Sequence, residues 1–183
     1  MPVPGERPLS LTEWLVLCLA CEGPTHGFAL ARLLSRTGSL GRVVRASKPT
    51  IYRALLRLEQ LGLVQMAGAQ HTNIGPDRSV ITATQAGRAA ALAWLRTPVA
   101  HGRDVRLELM LKLALLDRAG TDPADLLRRQ RAAFGPLAAT LADRVHATTG
   151  IEHTLALWRH QAMSATIQFF DEMTEQAEPA STP

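Results

Sequence analysis

Cysteine is scarce in this chain. Of 183 residues only Cys18 and Cys21 are cysteines, so no disulfide framework can hold the fold. A C-x-x-C inside an apolar segment with no second pair reads as core packing; a redox-sensing thiol pair is the alternative, and a metal site completed by His26 is the weakest reading. Long apolar runs are missing too. "LTEWLVLCLACEG" is interrupted by Glu13 and falls short of the roughly 18 to 20 residues a membrane span requires, and the N-terminus lacks the basic region and small-residue cleavage site of a secretory signal. A globular, cytoplasmic protein with no membrane partner is expected. The signatures of enzyme chemistry are absent as well: there is no glycine-rich phosphate loop, no G-x-S-x-G and no H-E-x-x-H, and the six histidines are not paired with carboxylates at ligand spacing. Catalytic residues, metal ligands and cofactors are therefore not expected.

The most informative absence is local. Between Glu22 and Glu59 no acidic residue occurs, while Arg32, Arg36, Arg42, Arg45, Lys48, Arg53 and Arg57 all lie there. Residues 1–97 carry a net charge of +6 and residues 98–183 a net charge of −2. Arginine outnumbers lysine 18 to two, a bias that a GC-rich genome alone can produce, so the distribution carries more than the total. A positive field confined to one part of the chain suits a polyanion through phosphate contacts and counterion release.

Within that stretch "SKPTIYRALLRLEQLG", residues 47–62, predicts a short helix. Ser47 is its N-cap, Pro49 sits in a first turn that needs no donor, and Gly62 stops it. Ile51, Leu55 and Leu58 form the buried stripe, leaving Lys48, Thr50, Arg53 and Arg57 to face outward. Upstream, "SLTE" from Ser10 is a capping box opening a first helix that ends near Gly23-Pro24. A second helix from about Thr25 to Gly38 has Phe28, Leu30, Ala31 and Leu34 inward. Downstream, "LVQMAG" alternates, "AQHTNIGPDR" is a turn and "SVITA" is β-branched, which makes a hairpin. Three helices followed by a hairpin describe a winged helix-turn-helix whose third helix enters the major groove.

After Thr84 every segment is helical in pattern. "DVRLELMLKLALLDRAG" is apolar on nearly all sides, with Glu108 and Lys112 as an i,i+4 ion pair. The next helix is capped by Asp122 and should kink or break at Gly135-Pro136. The last begins with a capping box at Thr149 and Glu152 and places Leu155, Trp158, Ala162, Ala165 and Phe169 at three- and four-residue spacing. The tail "AEPASTP" is expected to fray. The fold class is mainly α: a winged helix-turn-helix domain over residues 1–97, then an α-helical dimerisation arm over 98–183.

Three stretches, "EGPTHGFALARLL", "PTIYRALLRLEQLGLV" and "VITATQAGRAA", together resemble the PadR family of bacterial transcriptional regulators over most of residues 9–97. The resemblance implies a homodimer whose winged domains bind palindromic promoter DNA, whose C-terminal helices clasp each other, and which represses until an effector or stress signal releases it. The DNA-binding candidates are Lys48, Thr50, Tyr52, Arg53 and Arg57 on the third helix and His71, Asn73 and Arg78 in the wing, with double-stranded DNA as partner. Relatives also suggest a cleft for a planar apolar or aromatic effector, for which Trp14, Trp158 and Phe169 are the candidate residues. The rival reading is a winged-helix adaptor that binds a protein and not DNA.

Overall fold

The computed structural model describes residues 7–70 and 78–177, with the backbone path alone for 67–70, 78 and 177. The chain divides into two compact units, Met1–Leu95 and Arg96–Pro183.

In the first unit α1 spans Leu11–Glu22, α2 Gly27–Leu33 and α3 Lys48–Gln60. The capping box at the start of α1 is formed: the Ser10 hydroxyl accepts from the Glu13 N–H, and the Glu13 carboxylate accepts from the Ser10 N–H. Ser47 caps α3 in the same manner by accepting from the Thr50 N–H. On α3, which packs on α1 and α2, Ile51, Ala54, Leu55 and Leu58 are buried, as are Leu15, Val16 and Leu17 of α1 and Leu30 of α2, each large side chain contributing roughly 1.5–3 kcal/mol through removal from water. Gly62, at φ 67°, ends the helix in the left-handed region where a side chain would be strained.

β1, Val64–Gln70, and β2, Arg78–Ala83, pair antiparallel from Val64 opposite Ala83 to Gln70 opposite Arg78, with an irregularity between Ala67 and Ala69. Thr25 adds one bridge, exchanging both backbone hydrogen bonds with Ile81. That bridge and the burial of Ile81 and Ala83 root the hairpin in the helical core. The Thr84 hydroxyl then donates to the Gly62 carbonyl and accepts from the Gly87 N–H, so one side chain ties the end of α3 to the start of α4, Gln85–Arg96. Trp94 of α4 stacks on Trp14 of α1, centroids 5.3 Å apart and planes 6° from parallel.

Two expectations for this unit are corrected. The second helix ends at Leu33, not at Gly38. Phe28, expected inward, is 50% exposed: with under two turns of helix, the buried stripe is filled by Gly27, Leu30, Ala31 and Leu34 at i, i+3, i+4 and i+7, and Phe28 lies one step, about 100°, off it.

The second unit opens with Gly102–Asp104 (α5), a π-wound turn at Val105–Leu109, and Met110–Arg118 (α6). Two long helices follow, α7 at Ala124–Ala147 and α8 at Gly150–Ala177. Its core is Val99, Leu109, Leu116, Leu126, Leu127, Phe134, Met163 and Phe170. Two buried polar side chains are paired. Gln130 accepts from the Val99 N–H at 2.7 Å and donates to its carbonyl at 3.0 Å, filling the place of a missing strand neighbour. Lys112 pairs with Glu108 at 2.8 Å and donates to the Thr97 carbonyl at 2.6 Å. Of the kink or break expected at Gly135-Pro136, the break does not occur, and α7 runs through it. Proline normally clashes with the side chain before it, which glycine lacks. Pro136 is on an exposed face, where water can reach the carbonyl one turn back that loses its partner.

Candidate nucleic-acid interface

Six of the seven basic side chains of the acid-free stretch lie on the surface of the first unit. Arg32, Arg36, Arg42, Arg45, Lys48 and Arg53 are exposed. Lys48 opens α3, where the first-turn N–H groups and the positive end of the helix dipole reinforce its charge. Its ammonium also sits over the Phe28 ring, 5.5 Å from the centroid, a contact worth about 0.5–1 kcal/mol at an exposed site. Thr50 is half-buried and its hydroxyl shares a 2.8 Å hydrogen bond with Ser47, so it organises the helix start. Arg53 leans back along α3, its Nε 3.4 Å from the Pro49 carbonyl, which leaves the two terminal nitrogens pointing to solvent.

Tyr52 is 51% exposed, yet its ring covers the first residue of α2. A Cβ added to Gly27 would lie 2.8 Å from the ring, so only glycine admits this approach. Gly27 therefore leaves room for the Tyr52 ring over the start of α2.

Arg57 differs from the expectation of an outward cation. Its side chain is 17% exposed, and it reaches the Glu13 carboxylate of α1 at 3.1–3.2 Å and the Arg7 carbonyl. Arg7 closes on the same carboxylate with both terminal nitrogens, at 2.7 and 3.1 Å. Burial opposes charge on Glu13, but hydrogen bonds from Arg7, from the Ser10 backbone and hydroxyl, and from Arg57 outweigh it and hold the carboxyl at about 2. Glu13 thus caps its own helix and anchors α3 to α1. Nothing in the spacing of α3 signals this, because the acid lies 44 residues away.

Of the wing candidates, His71 and Asn73 lie outside the described residues, and Arg78 is described only as the backbone start of β2. Phe28 and Leu56, which is 54% exposed, were not among the sequence candidates; their exposure is the signal that adds them. Cys18 is buried, Cys21 is half-buried and neither is in a disulfide. Burial pushes the Cys21 thiol up, against the partly offsetting charge of Arg88, which disfavours the thiolate a redox sensor requires.

The effector candidates belong to different units. Trp14 is engaged in its stack with Trp94 in the first unit. In the second, Trp158 is exposed and stands 11 residues, about 16 Å, along α8 from Phe169. Phe169 does line an apolar groove of about 690 Å³ together with Met110, Leu113 and Met173.

Residues 16–93 match the transcriptional regulator PadR-like family. No curated protein matches the chain. Among solved structures, Bacillus subtilis PadR in complex with operator DNA is 17% identical, over 92% of this chain and 100% of that one, with a TM-score of 0.48. The same protein with p-coumaric acid is 16% identical, over 96% and 99%, at 0.42. The PadR-like transcriptional regulator BC1756 from Bacillus cereus is 17% identical, over 91% and 98%, at 0.39.

Proposed function

We propose that this chain, whose residues 16–93 form a PadR-like winged domain, is a cytoplasmic DNA-binding transcriptional regulator that acts as a homodimeric repressor. The observation that carries the reading is α3: one face is sealed into the core by Ile51, Ala54, Leu55 and Leu58, and the other offers Lys48, Tyr52 and Arg53 to a ligand within a surface free of acidic residues from Gly23 to Leu58. Lys48 and the helix start suit phosphate contact, and Arg53 suits a guanine edge. Arg57 belongs to the scaffold that holds α3 at its angle.

Dimerisation is supported by α8. Ile151, Leu155 and Trp158, continued by Ala162 and Ala165, are exposed along one face, at a spacing that a second copy of the same helix would cover. Two-fold symmetry would place the recognition helices about 34 Å apart and make the operator an imperfect palindrome. The groove beside Phe169 supports an apolar effector held by the same unit.

The test is a mobility shift of the full chain on the duplex upstream of its own gene. The reading requires retardation at about 0.1 M salt that weakens steeply as salt rises. An intact dimer that binds this duplex no better than unrelated DNA would instead favour the protein-binding adaptor.

A further inference from the structure

Phe28 and Tyr52 account for two of the eight aromatic residues in the chain, and both are half exposed, on adjoining parts of α2 and α3. Single exposed apolar residues are ordinary. These two are joined into one surface, because the Lys48 ammonium lies over the Phe28 ring and the Tyr52 ring lies on Gly27, the residue before Phe28. The patch abuts the first turn of α3, and in helix-turn-helix proteins the N-terminal residues of the recognition helix are those that meet base edges.

A purely electrostatic DNA surface has no use for a ring at that place. The major groove, however, presents one apolar group, the C5 methyl of thymine, and apolar side chains read it. We infer that Phe28 contacts a thymine C5 methyl in the operator, with Lys48, over the ring face, binding the neighbouring phosphate. The inference rests on the DNA-binding reading above and adds a base preference to it. Phe28 is favoured over the exposed Leu56 because Leu56 lies two turns further along α3 from its N-terminus.

The experiment uses the full-length protein and a synthetic, unmethylated duplex selected by it from a random pool, so that thymine is the sole source of C5 methyl groups. Affinity is then compared with the same duplex carrying uracil in place of thymine, which removes the methyl and preserves base pairing. The native protein should bind the uracil duplex about three- to five-fold more weakly for each methyl contacted. F28A should bind the thymine duplex correspondingly weakly and discriminate less between the two. Equal binding of both duplexes by the native protein overturns the inference without recourse to any variant. Undiminished discrimination by F28A overturns the assignment to this ring, and both results leave DNA binding itself intact. If the native protein selects no duplex at all, the DNA-binding reading falls and this inference with it.

Discussion

The helices α3 and α8 solve opposite problems. α3 buries its large aliphatic residues apart from Leu56 and turns Lys48 and Arg53 outward, so its surface suits a polyanion. α8 buries Ala156, Met163 and Phe170 on one side and leaves Ile151, 70% exposed, and Trp158, 69% exposed, in water on the other. The two surfaces differ in what would satisfy them: charge neutralisation in the first case, removal of apolar area in the second. One chain thus carries a basic surface in its first unit and an exposed apolar helix face in its second.

Charging the apolar side of α8 should give the largest effect. L155E/W158E is expected to convert the dimer to monomer in light scattering and, because the second half-site is then no longer held in place, to weaken operator binding by about 10² or more although neither residue touches DNA. A double variant that remains dimeric and binds normally would remove the contrast between the helices. Second comes Glu13. Replacing its carboxylate leaves Arg57 facing an uncharged partner, and E13Q should lower stability by about 2–4 kcal/mol near neutral pH. The folded carboxyl titrates at about 2, below its ordinary value of 4.5. Its contribution is therefore complete above about pH 4.5 and lost as pH falls toward 2. Denaturation of both proteins across that window should show the difference shrinking on acidification; a gap independent of pH would mean that the charge is irrelevant.

A smaller effect is expected at Arg53. R53A should cost about 1–3 kcal/mol in operator affinity while leaving thermal unfolding and the dimer unchanged, the reverse of the Glu13 pattern and a direct check that the two faces of α3 have separate duties. The smallest concerns Cys21. C21S should bind operator as the native protein does before and after peroxide, since the thiol is held protonated by burial. Release of native but not variant protein by peroxide would restore the redox alternative.

Much of this architecture can be read without coordinates, because the signals are local. Ser10 and Glu13 form a capping box four residues long, Ser47 and Gly62 bracket α3, and the stripe at 51, 55 and 58 fixes its buried side. What escapes is set by residues distant in sequence or by competition for space. Arg57 follows the outward phase of its helix and is drawn aside by an acid on another one. Phe28 has the composition of a core residue and loses its place to Gly27, Leu30, Ala31 and Leu34 in a helix too short to bury more. Pro136 carries a strong breaking signal that is offset by the glycine before it and by solvent at the freed carbonyl.

The link from Glu13 to Arg57 also bears on how the first unit forms. It closes a span of 44 residues, longer than any of the capping contacts, so α2, the following loop and α3 must all be in place before the two side chains meet. The entropy of closing that loop must be met before the contact returns any stability, which places the ion pair after the local capping contacts. E13Q should accordingly express the part of its cost that comes from the lost Arg57 contact as faster unfolding, leaving the capping contacts of α1 to account for any change in refolding rate. The link from Glu13 to Arg57 then governs how long a folded winged domain lasts, not how quickly one is made.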